Sequence, residues 1–279
     1  MRLLIFGLGY SAQRIAAQLC ARHWQVRATG SAGGLAFEDA VAVREALAWA
    51  SHVLSSVPPG EEGDPVLARY GDALRGRWLG YLSSTGVYGD TGGAWVDESA
   101  PIGGGRRPAR SEADARWRGL GARVFRLPGI YGPGRSPLDR ARAGTAHRID
   151  LPGQVFSRVH VEDIAGGVIA ALEADAPPGA YNLADDEPAS QNAVVEHACR
   201  LLGIPPPPLQ TLDEAGLSPQ ARGFYAENRR VANGKLKRAA GWAPLFPSYR
   251  EGLASLLWDS RGDAEGPRSS HPSSSSPRT

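Results

Sequence analysis

Arg2-Leu3-Leu4-Ile5-Phe6-Gly7-Leu8-Gly9-Tyr10-Ser11-Ala12 is the stretch that decides the fold of this 279-residue chain. An apolar run follows Arg2, as in a buried strand. A loop with two glycines comes next, without a spacer. Beyond the loop, apolar side chains recur at the spacing of an amphipathic helix, at Ala12, Ile15, Ala16 and Leu19. This order of strand, glycine loop and helix predicts the first unit of a dinucleotide-binding fold.

The small residues of the loop have separate roles in such a unit. Gly7 allows a sharp turn, and Gly9 leaves room for a pyrophosphate to approach the backbone. Ala12 stands where close packing of the helix on the strand requires a small residue. The free N–H groups at the start of the helix favour phosphate. We therefore expect this loop to hold a dinucleotide; a tight strand–helix turn in some other α/β protein is the alternative.

Composition limits the classes of function. The chain has 31 Lys and Arg against 29 Asp and Glu, so its net charge of +2 suggests no nucleic-acid partner. The two cysteines, Cys20 and Cys199, fall in separate predicted helices, and the six histidines show no metal-ligand spacing. No apolar run is long enough to span a membrane. We expect a cytoplasmic protein without a metal, whose partner is a small-molecule substrate.

Predicted strands alternate with predicted helices along the chain. Strands are expected at 2–6, 24–29, 52–57, 78–84, 122–127 and 181–183, and helices at 12–19, 41–50, 65–74, 109–120, 162–173, 191–202, 234–240 and 249–258. This alternation predicts an α/β fold with a parallel sheet covered by helices on both faces. Asn233 is expected to cap its helix, residues 134–155 to form a mobile loop, and residues 261–279 to be disordered.

Five segments, in order, resemble a known family: residues 7–12, 83–90, 126–135, 159–165 and 181–188. They are similar to motifs of the extended and atypical short-chain dehydrogenase/reductase superfamily, in its NAD-dependent epimerase/dehydratase branch. With Ser55-Ser56-Val57-Pro58-Pro59 and Pro247-Ser248-Tyr249-Arg250-Glu251-Gly252, they look most like the bacterial YeeZ-like group. The resemblance extends to about residue 258.

The resemblance implies a doubly wound Rossmann sheet with a small C-terminal substrate lobe. The core would comprise residues 1–133, with 159–185 returning to the sheet, and the lobe residues 134–158 and 186–260. The implied function is that of an NAD(P)-binding oxidoreductase or epimerase acting on a polar carbonyl or a nucleotide-sugar-like substrate. A non-catalytic NAD(P)-binding sensor or scaffold is the alternative. The resemblance to the family also suggests a homodimer.

The resemblance also implies a role for each matching residue. The implied cofactor-binding residues are Gly7, Gly9, Tyr10, Ser11, Ala12, Thr29, Ser55, Ser56, Val57, Pro58, Ser83, Pro128, Gly129 and Ile130. Ser84 and Thr85 would lie beside the nicotinamide. Ser84 would bond the substrate oxygen or, alternatively, satisfy a turn. His160 and Asp163 would brace the lobe against the sheet.

The Tyr-x-x-x-Lys acid–base pair of the family is missing. Lys235 and Lys237 are the only lysines, and neither has a tyrosine four residues before it. An approximate alignment puts Arg106 at the tyrosine position and Arg110 at the lysine position. Arg110 can supply positive charge, but a guanidinium does not readily replace a neutral proton donor. Tyr88 is the nearest substitute phenol, with a packing role as its alternative; either the chemistry is altered, or hydride transfer is lost and binding kept.

Two further features concern the ligands. No Asp or Glu stands in residues 26–31 at the end of the second strand, where an acid would bind the ribose 2′-hydroxyl of NAD, so NADP is favoured over NAD. Arginines cluster in the region that would face the substrate, at Arg135, Arg140, Arg142, Arg148 and Arg158. Arginine suits phosphate or carboxylate, and solvated surface charge is the alternative.

Overall fold

The computed structural model describes residues 1–262. The strands are β1 (Arg2–Phe6), β2 (Gln25–Thr29), β3 (Gly34–Leu35), β4 (His52–Ser55), β5 (Trp78–Ser84), β6 (Trp95–Val96), β7 (Arg123–Leu127), β8 (Gly129–Tyr131), β9 (Arg148–Ile149), β10 (Arg158–His160), β11 (Gly179–Asn182), β12 (Leu209–Gln210) and β13 (Arg230–Val231). The helices are α1 (Tyr10–Ala21), α2 (Ala40–Trp49), α3 (Pro65–Tyr70), α4 (Pro108–Gly119), α5 (Pro137–Arg142), α6 (Val161–Glu173), α7 (Gln191–Leu202), α8 (Pro219–Phe224), α9 (Gly234–Ala240) and α10 (Tyr249–Gly262).

Seven parallel strands form the central sheet, in the order β11-β7-β5-β4-β1-β2-β3. The strand order reverses between β1 and β4. In open α/β sheets, ligands bind beyond the carboxyl ends of the strands at this reversal. The glycine loop leaves β1 and residues 56–58 leave β4 at this point, so the sheet brings two of the predicted cofactor segments together.

Strand β1 shows why both faces of the sheet are covered. Its side chains alternate, so that Leu3 and Ile5 join one buried cluster while Leu4 and Phe6 join another. The first cluster contains apolar side chains of α1 and α6, and the second contains those of α2, α3 and α4. The doubly wound α/β fold predicted from the sequence is therefore confirmed.

A third apolar cluster lies outside the central sheet. It joins Tyr131 at the end of β8 to side chains of α5, α7 and α10, among them Leu138, Val194 and Leu253. Three 2-stranded parallel pairs, β10–β8, β12–β9 and β13–β6, also lie outside the central sheet. The division into core and substrate lobe stays a prediction.

The structure departs from the sequence expectations at several places. Residues 134–155 are not a plain loop, because Ser136 and Asp139 form a capping box that starts α5, and β9 follows. Asn233 precedes α9 but does not cap it, because its amide donates to the Ala184 carbonyl and to Asp186. Helix α10 extends through Gly262, and the rest of the predicted disordered tail lies outside the described residues.

Within residues 1–262, no helix combines the length and the apolar character that a membrane crossing would need.

Candidate functional site

A cleft of about 1030 Å³ opens at the carboxyl edge of the sheet. Its walls are the glycine loop, the end of β5 with the turn that follows it, residues 127–131, the start of α4, and the segment 215–231. Ten of the predicted cofactor residues line it: Gly9, Tyr10, Ser11, Ala12, Ser56, Pro58, Ser83, Pro128, Gly129 and Ile130. Ser84, Thr85 and Arg110 line it as well. The fold thus brings most of the predicted site into one cavity.

The two glycines of the loop have different surroundings. Gly7 has a φ of +79°, and a Cβ there would lie 2.9 Å from Cγ2 of Val57. Gly9 has an ordinary φ of −83°, and a Cβ there would meet no atom within 4 Å. Gly7 is therefore required by the fold, whereas Gly9 leaves open space at the cleft.

The start of α1 is free to receive an anion. No side chain caps it, whereas the side chains of Asp39 and Asp64 accept from backbone N–H groups at the starts of α2 and α3. An uncapped helix start presents N–H donors and a partial positive charge. Together with the space beside Gly9, this arrangement fits the pyrophosphate of a dinucleotide.

Four predicted cofactor residues, Gly7, Thr29, Ser55 and Val57, do not line the cleft. Thr29 Oγ1 accepts from the Gly7 N–H at 3.1 Å. The Ser55 side chain is fully buried at the end of β4. Thr29 and Val57 contact Gly7 from behind the loop. Direct contact of these four residues with a cofactor stays a prediction.

Tyr10 ties the glycine loop to the turn at residues 132–135. Its hydroxyl donates to the Pro133 carbonyl at 3.1 Å, and the Arg135 guanidinium lies 5.8 Å from its ring centroid. Burial raises the pKa of Tyr10. Although Tyr10 lines the cleft, its phenol is already engaged.

The hydroxyl of Ser84 fits both alternatives drawn from the sequence. Its oxygen accepts from the Gly86 N–H at 3.1 Å, which satisfies the turn after β5. Because that bond uses only a lone pair, the hydroxyl proton remains available to a ligand in the cleft. Thr85 is buried in the same wall.

A buried polar network lies behind this wall. Ser83 donates to Asp114 at 2.8 Å, and Arg126 donates to the same carboxylate from Nε and Nη2, at 3.0 and 2.8 Å. Arg126 also donates to Tyr88 Oη at 2.9 Å, and Tyr88 donates to Asn182 at 2.8 Å. Burial alone would lower the pKa of Arg126, but its bonds to Asp114 raise it.

This network corrects the role suggested for Tyr88. Its hydroxyl accepts from Arg126 and donates to Asn182, and Tyr88 does not line the cleft. Burial also raises the pKa of Tyr88. We therefore withdraw Tyr88 as the substitute proton donor, and its packing alternative agrees with the structure. The Ser83 hydroxyl is likewise turned toward Asp114 rather than toward a ligand.

The two arginines aligned with the missing acid–base pair differ in their contacts. Arg106 forms an ion pair with Glu227 at 3.2 Å, and its guanidinium lies 5.4 Å from the Phe224 ring centroid. Arg110 is half-buried, and within the described residues its side chain makes no hydrogen bond or ion pair. Burial lowers the pKa of Arg110. Arg110 therefore presents an uncompensated cation to the cleft.

Sequence reasoning missed Tyr225. Of the described tyrosines, Tyr10, Tyr131 and Tyr225 line the cleft. Tyr10 is engaged, and the Tyr131 hydroxyl is buried without a partner. The Tyr225 hydroxyl remains accessible, and it forms no hydrogen bond within residues 1–262. Burial raises the pKa of Tyr225, while Arg158 and Arg140 act to lower it. No local pattern could have indicated this residue, because only the folding of segment 215–231 over the cleft brings it there.

The two lysines, His160 and Asp163 lie outside the cleft. Lys235 donates to the Ala180 carbonyl, and Lys237 pairs with Asp186. His160 accepts from the Glu162 N–H at the start of α6, and Asp163 accepts from the N–H groups of residues 245 and 246. The Asp163 contacts reach segment 245–246 and agree with the bracing role expected for Asp163, whereas the His160 bond is local to the start of α6. Across residues 1–262, no group of three or more His, Cys, Asp or Glu side chains is placed to hold a metal ion.

The chain has named relatives, although no protein-family model matches it. It is 38% identical over 149 residues to a Streptomyces protein named 3-diazoavenalumate denitrifying reductase, a match covering 48% of this chain. That match spans 46% of the reductase, less than half of its length. The chain is also 28% identical over 274 residues to protein YeeZ of Escherichia coli K12, covering 83% of this chain and 93% of YeeZ.

Solved structures agree along nearly the whole chain. A functionally unknown conserved protein from Silicibacter pomeroyi has 40% identity and a TM-score of 0.82, covering 92% of this chain and 98% of its own. The human epimerase family protein SDR39U1 with NADPH has 18% identity and a TM-score of 0.71, covering 93% and 100%. A Thermus thermophilus UDP-glucose 4-epimerase with NAD has 21% identity and a TM-score of 0.70, covering 94% and 99%. The last two likenesses concern the fold.

The central sheet, with the cleft at its carboxyl edge, has the fold of NAD-dependent epimerases and dehydratases. Along most of its length the chain also resembles protein YeeZ, in agreement with the YeeZ-like group expected from the sequence.

Proposed function

We propose that this protein is an NAD(P)-dependent oxidoreductase or epimerase acting on a polar carbonyl or a nucleotide-sugar-like small molecule. The observation that carries the proposal is the meeting of two features in one cleft. One is the uncapped start of α1 beside the open space at Gly9, and the other is the available hydroxyl of Ser84. The first suits a dinucleotide, and the second suits a substrate oxygen.

Residues of the cleft divide between cofactor and substrate. Gly9, Ser11 and Ala12 would hold the pyrophosphate, and residues 128–130 would border the nicotinamide. When bound, the cofactor supplies hydride transfer. Ser84 would orient the substrate oxygen through its own proton, with Thr85 completing the wall. These assignments are supported by the position of each residue at the cleft.

We assign the proton donor to Tyr225 in place of Tyr88. An oxygen that gains charge in a carbonyl reduction requires a proton from a positioned acid. Tyr225 lines the cleft, and its hydroxyl forms no hydrogen bond with a described residue. Arg158 and Arg140 would stabilise its phenolate. Water entering the open cleft can then reprotonate it.

The missing Tyr–Lys pair also suits a reaction that protonates no oxygen. The Streptomyces relative is named as a denitrifying reductase of a diazo compound. Hydride addition to an aryl diazonium ion gives an arene and N₂, and the charges balance without a proton. A diazonium compound therefore belongs in any substrate screen.

NADP is the cofactor that we favour. Residues 29–35 contain no carboxylate that would bind a ribose 2′-hydroxyl. The guanidinium of Arg27 stacks on the protein itself, at 4.5 Å from the Trp49 ring centroid. The preference therefore rests on the missing acid alone, and both cofactors must be measured.

Equilibrium dialysis with NADPH and NADH tests the first part of the proposal. Absence of a complex with either nucleotide at millimolar concentration would overturn it. A screen of carbonyl compounds, nucleotide sugars and an aryl diazonium ion, monitored by reduced-cofactor absorbance, tests the second part. Tight cofactor binding without turnover of any compound would favour the alternative of a non-catalytic sensor or scaffold.

A further inference from the structure

We infer that Arg110 binds an anionic group of the substrate, a carboxylate or a phosphate, on the same cleft wall as Ser84. This inference deepens the proposed function and rests on it for the identity of the molecule that carries the anion. The binding of the anion itself can be measured without cofactor or turnover.

The cleft is far more cationic than the chain as a whole. Seven arginines line it: Arg106, Arg107, Arg110, Arg135, Arg140, Arg158 and Arg229. Glu227 is the one carboxylate among the described residues of the lining. In the whole sequence, 31 Lys and Arg less the two lysines leave 29 arginines, against 29 Asp and Glu. An arginine-rich composition therefore does not by itself account for the cleft, because elsewhere acids balance the arginines.

Some of these arginines are already compensated by the protein. Arg106 and Arg229 share Glu227, at 3.2 and 2.8 Å. Arg158 donates to the carbonyls of Phe156 and Ala189, at 2.9 and 2.8 Å. These contacts satisfy the guanidinium groups and hold the walls of the cleft together.

Arg110 is different because it is half-buried and lacks such a partner within residues 1–262. Withdrawing a cation from water without a counterion is unfavourable. No acidic residue stands in the first turn of α4 and no side chain caps the helix, so its partial positive charge adds to that of Arg110. A bound anion would offset both charges, and a guanidinium pairs with carboxylate and phosphate through two parallel hydrogen bonds.

The geometry of α4 places Arg110 near the expected reaction centre. Arg110 and Asp114 are four residues apart, so they share a face of the helix. Asp114 accepts from Ser83 at 2.8 Å, which fixes that face against the end of β5. Arg110 lies one turn closer to the start of the helix and lines the cleft with Ser84. An anion held by Arg110 therefore lies on the wall that bears the Ser84 hydroxyl.

Isothermal titration of the wild-type protein with inorganic phosphate and, separately, with cinnamate tests this inference. We expect at least one probe to bind, with and without saturating NADPH. We expect Arg110→Gln to weaken that binding about tenfold or more, equivalent to about 1.4 kcal/mol. Arg110→Lys should retain part of it, because the charge is kept and the planar fork is lost. Arg118→Gln is the matched control, since Arg118 is exposed on the same helix outside the cleft.

The outcomes separate the two proposals. The probe that binds tells a carboxylate site from a phosphate site. Absence of binding by both probes, or equal binding by wild type and Arg110→Gln, would overturn the inference. Loss of probe binding when NADPH is present would also overturn it, because the arginine would then serve the cofactor. Anion binding that persists in a protein unable to bind NADPH or NADH would overturn the proposed function and leave the anion site standing.

Discussion

Replacing Gly9 by alanine separates the stability of the glycine loop from its ability to bind a dinucleotide. The backbone of Gly9, with φ of −83° and ψ of −171°, is one that alanine adopts readily, and its Cβ would meet no atom within 4 Å. The smaller entropy of the unfolded chain favours the variant by about 0.4–1 kcal/mol. Alanine is a poorer helix cap than glycine by a similar amount. We therefore expect the free energy of unfolding to change by less than about 1 kcal/mol.

Cofactor binding should respond much more strongly. The new methyl group would occupy the space through which a pyrophosphate reaches the N–H groups at the start of α1. Each hydrogen bond to a charged group contributes about 1.5–3 kcal/mol. Loss of one such bond raises the Kd about 10- to 100-fold.

Gly7→Ala is the contrasting variant. Its φ of +79° is costly for a residue with a Cβ, which would also lie 2.9 Å from Cγ2 of Val57. We expect the free energy of unfolding to fall by about 1–3 kcal/mol. Urea denaturation measures stability, and NADPH fluorescence titration measures affinity. Unchanged NADPH affinity in Gly9→Ala would refute the reasoning, and so would a loss of stability equal to that of Gly7→Ala.

Three other predictions concern buried and cleft side chains. Asp114→Ala should lower the free energy of unfolding by about 3–5 kcal/mol, because it leaves the fully buried Arg126 unpaired. A loss below about 1 kcal/mol in urea denaturation would contradict this. Adding Arg126→Met to the Asp114→Ala variant should restore part of the stability. Burial lowers the pKa of His160 from 6.5 to about 4. Between these pH values the unfolded chain binds the proton and the folded protein does not, so the free energy of unfolding should fall by up to about 3 kcal/mol as the pH drops from 6.5 to 4. His160→Asn, which can still cap α6, should flatten this pH dependence when the free energy of unfolding is measured by urea denaturation at each pH. The same pH dependence in both proteins would contradict the prediction. Tyr225→Phe should lower kcat about 10²- to 10⁴-fold on a carbonyl substrate without changing NADPH affinity. Tyr181→Phe, outside the cleft, is the control and should leave kcat unchanged. Equal kcat values in the two variants would show that Tyr225 is not the proton donor.

Local patterns predicted the regular elements well. The first strand ends where Gly7 follows Phe6, and α7 begins at Gln191 after the capping Ser190. Short elements outside the central sheet were missed, among them β9 and α8. Strands of two residues, such as β9, carry too few side chains to show a period. Their pairing depends on partners far along the chain, as in the contact of β9 with β12.

The candidate site was predictable only where it is made of contiguous residues. The glycine loop and the Ser84 turn are contiguous motifs, and both line the cleft. Tyr88 was selected because it stands near Ser84 in the sequence. Its environment is set instead by Arg126 and Asn182, on β7 and β11, which are 38 and 94 residues away. Sequence proximity could not reveal that its hydroxyl was already used.

The sequence by itself determined the doubly wound sheet and the position of the dinucleotide loop. Both follow from side-chain periodicity and from glycines within a few residues of one another, which act before distant parts of the chain meet. Only the tertiary structure decided which polar groups remain available in the cleft. The hydroxyl of Tyr225 and the guanidinium of Arg110 are open to a ligand because segments far apart in the sequence fold around them without supplying a partner.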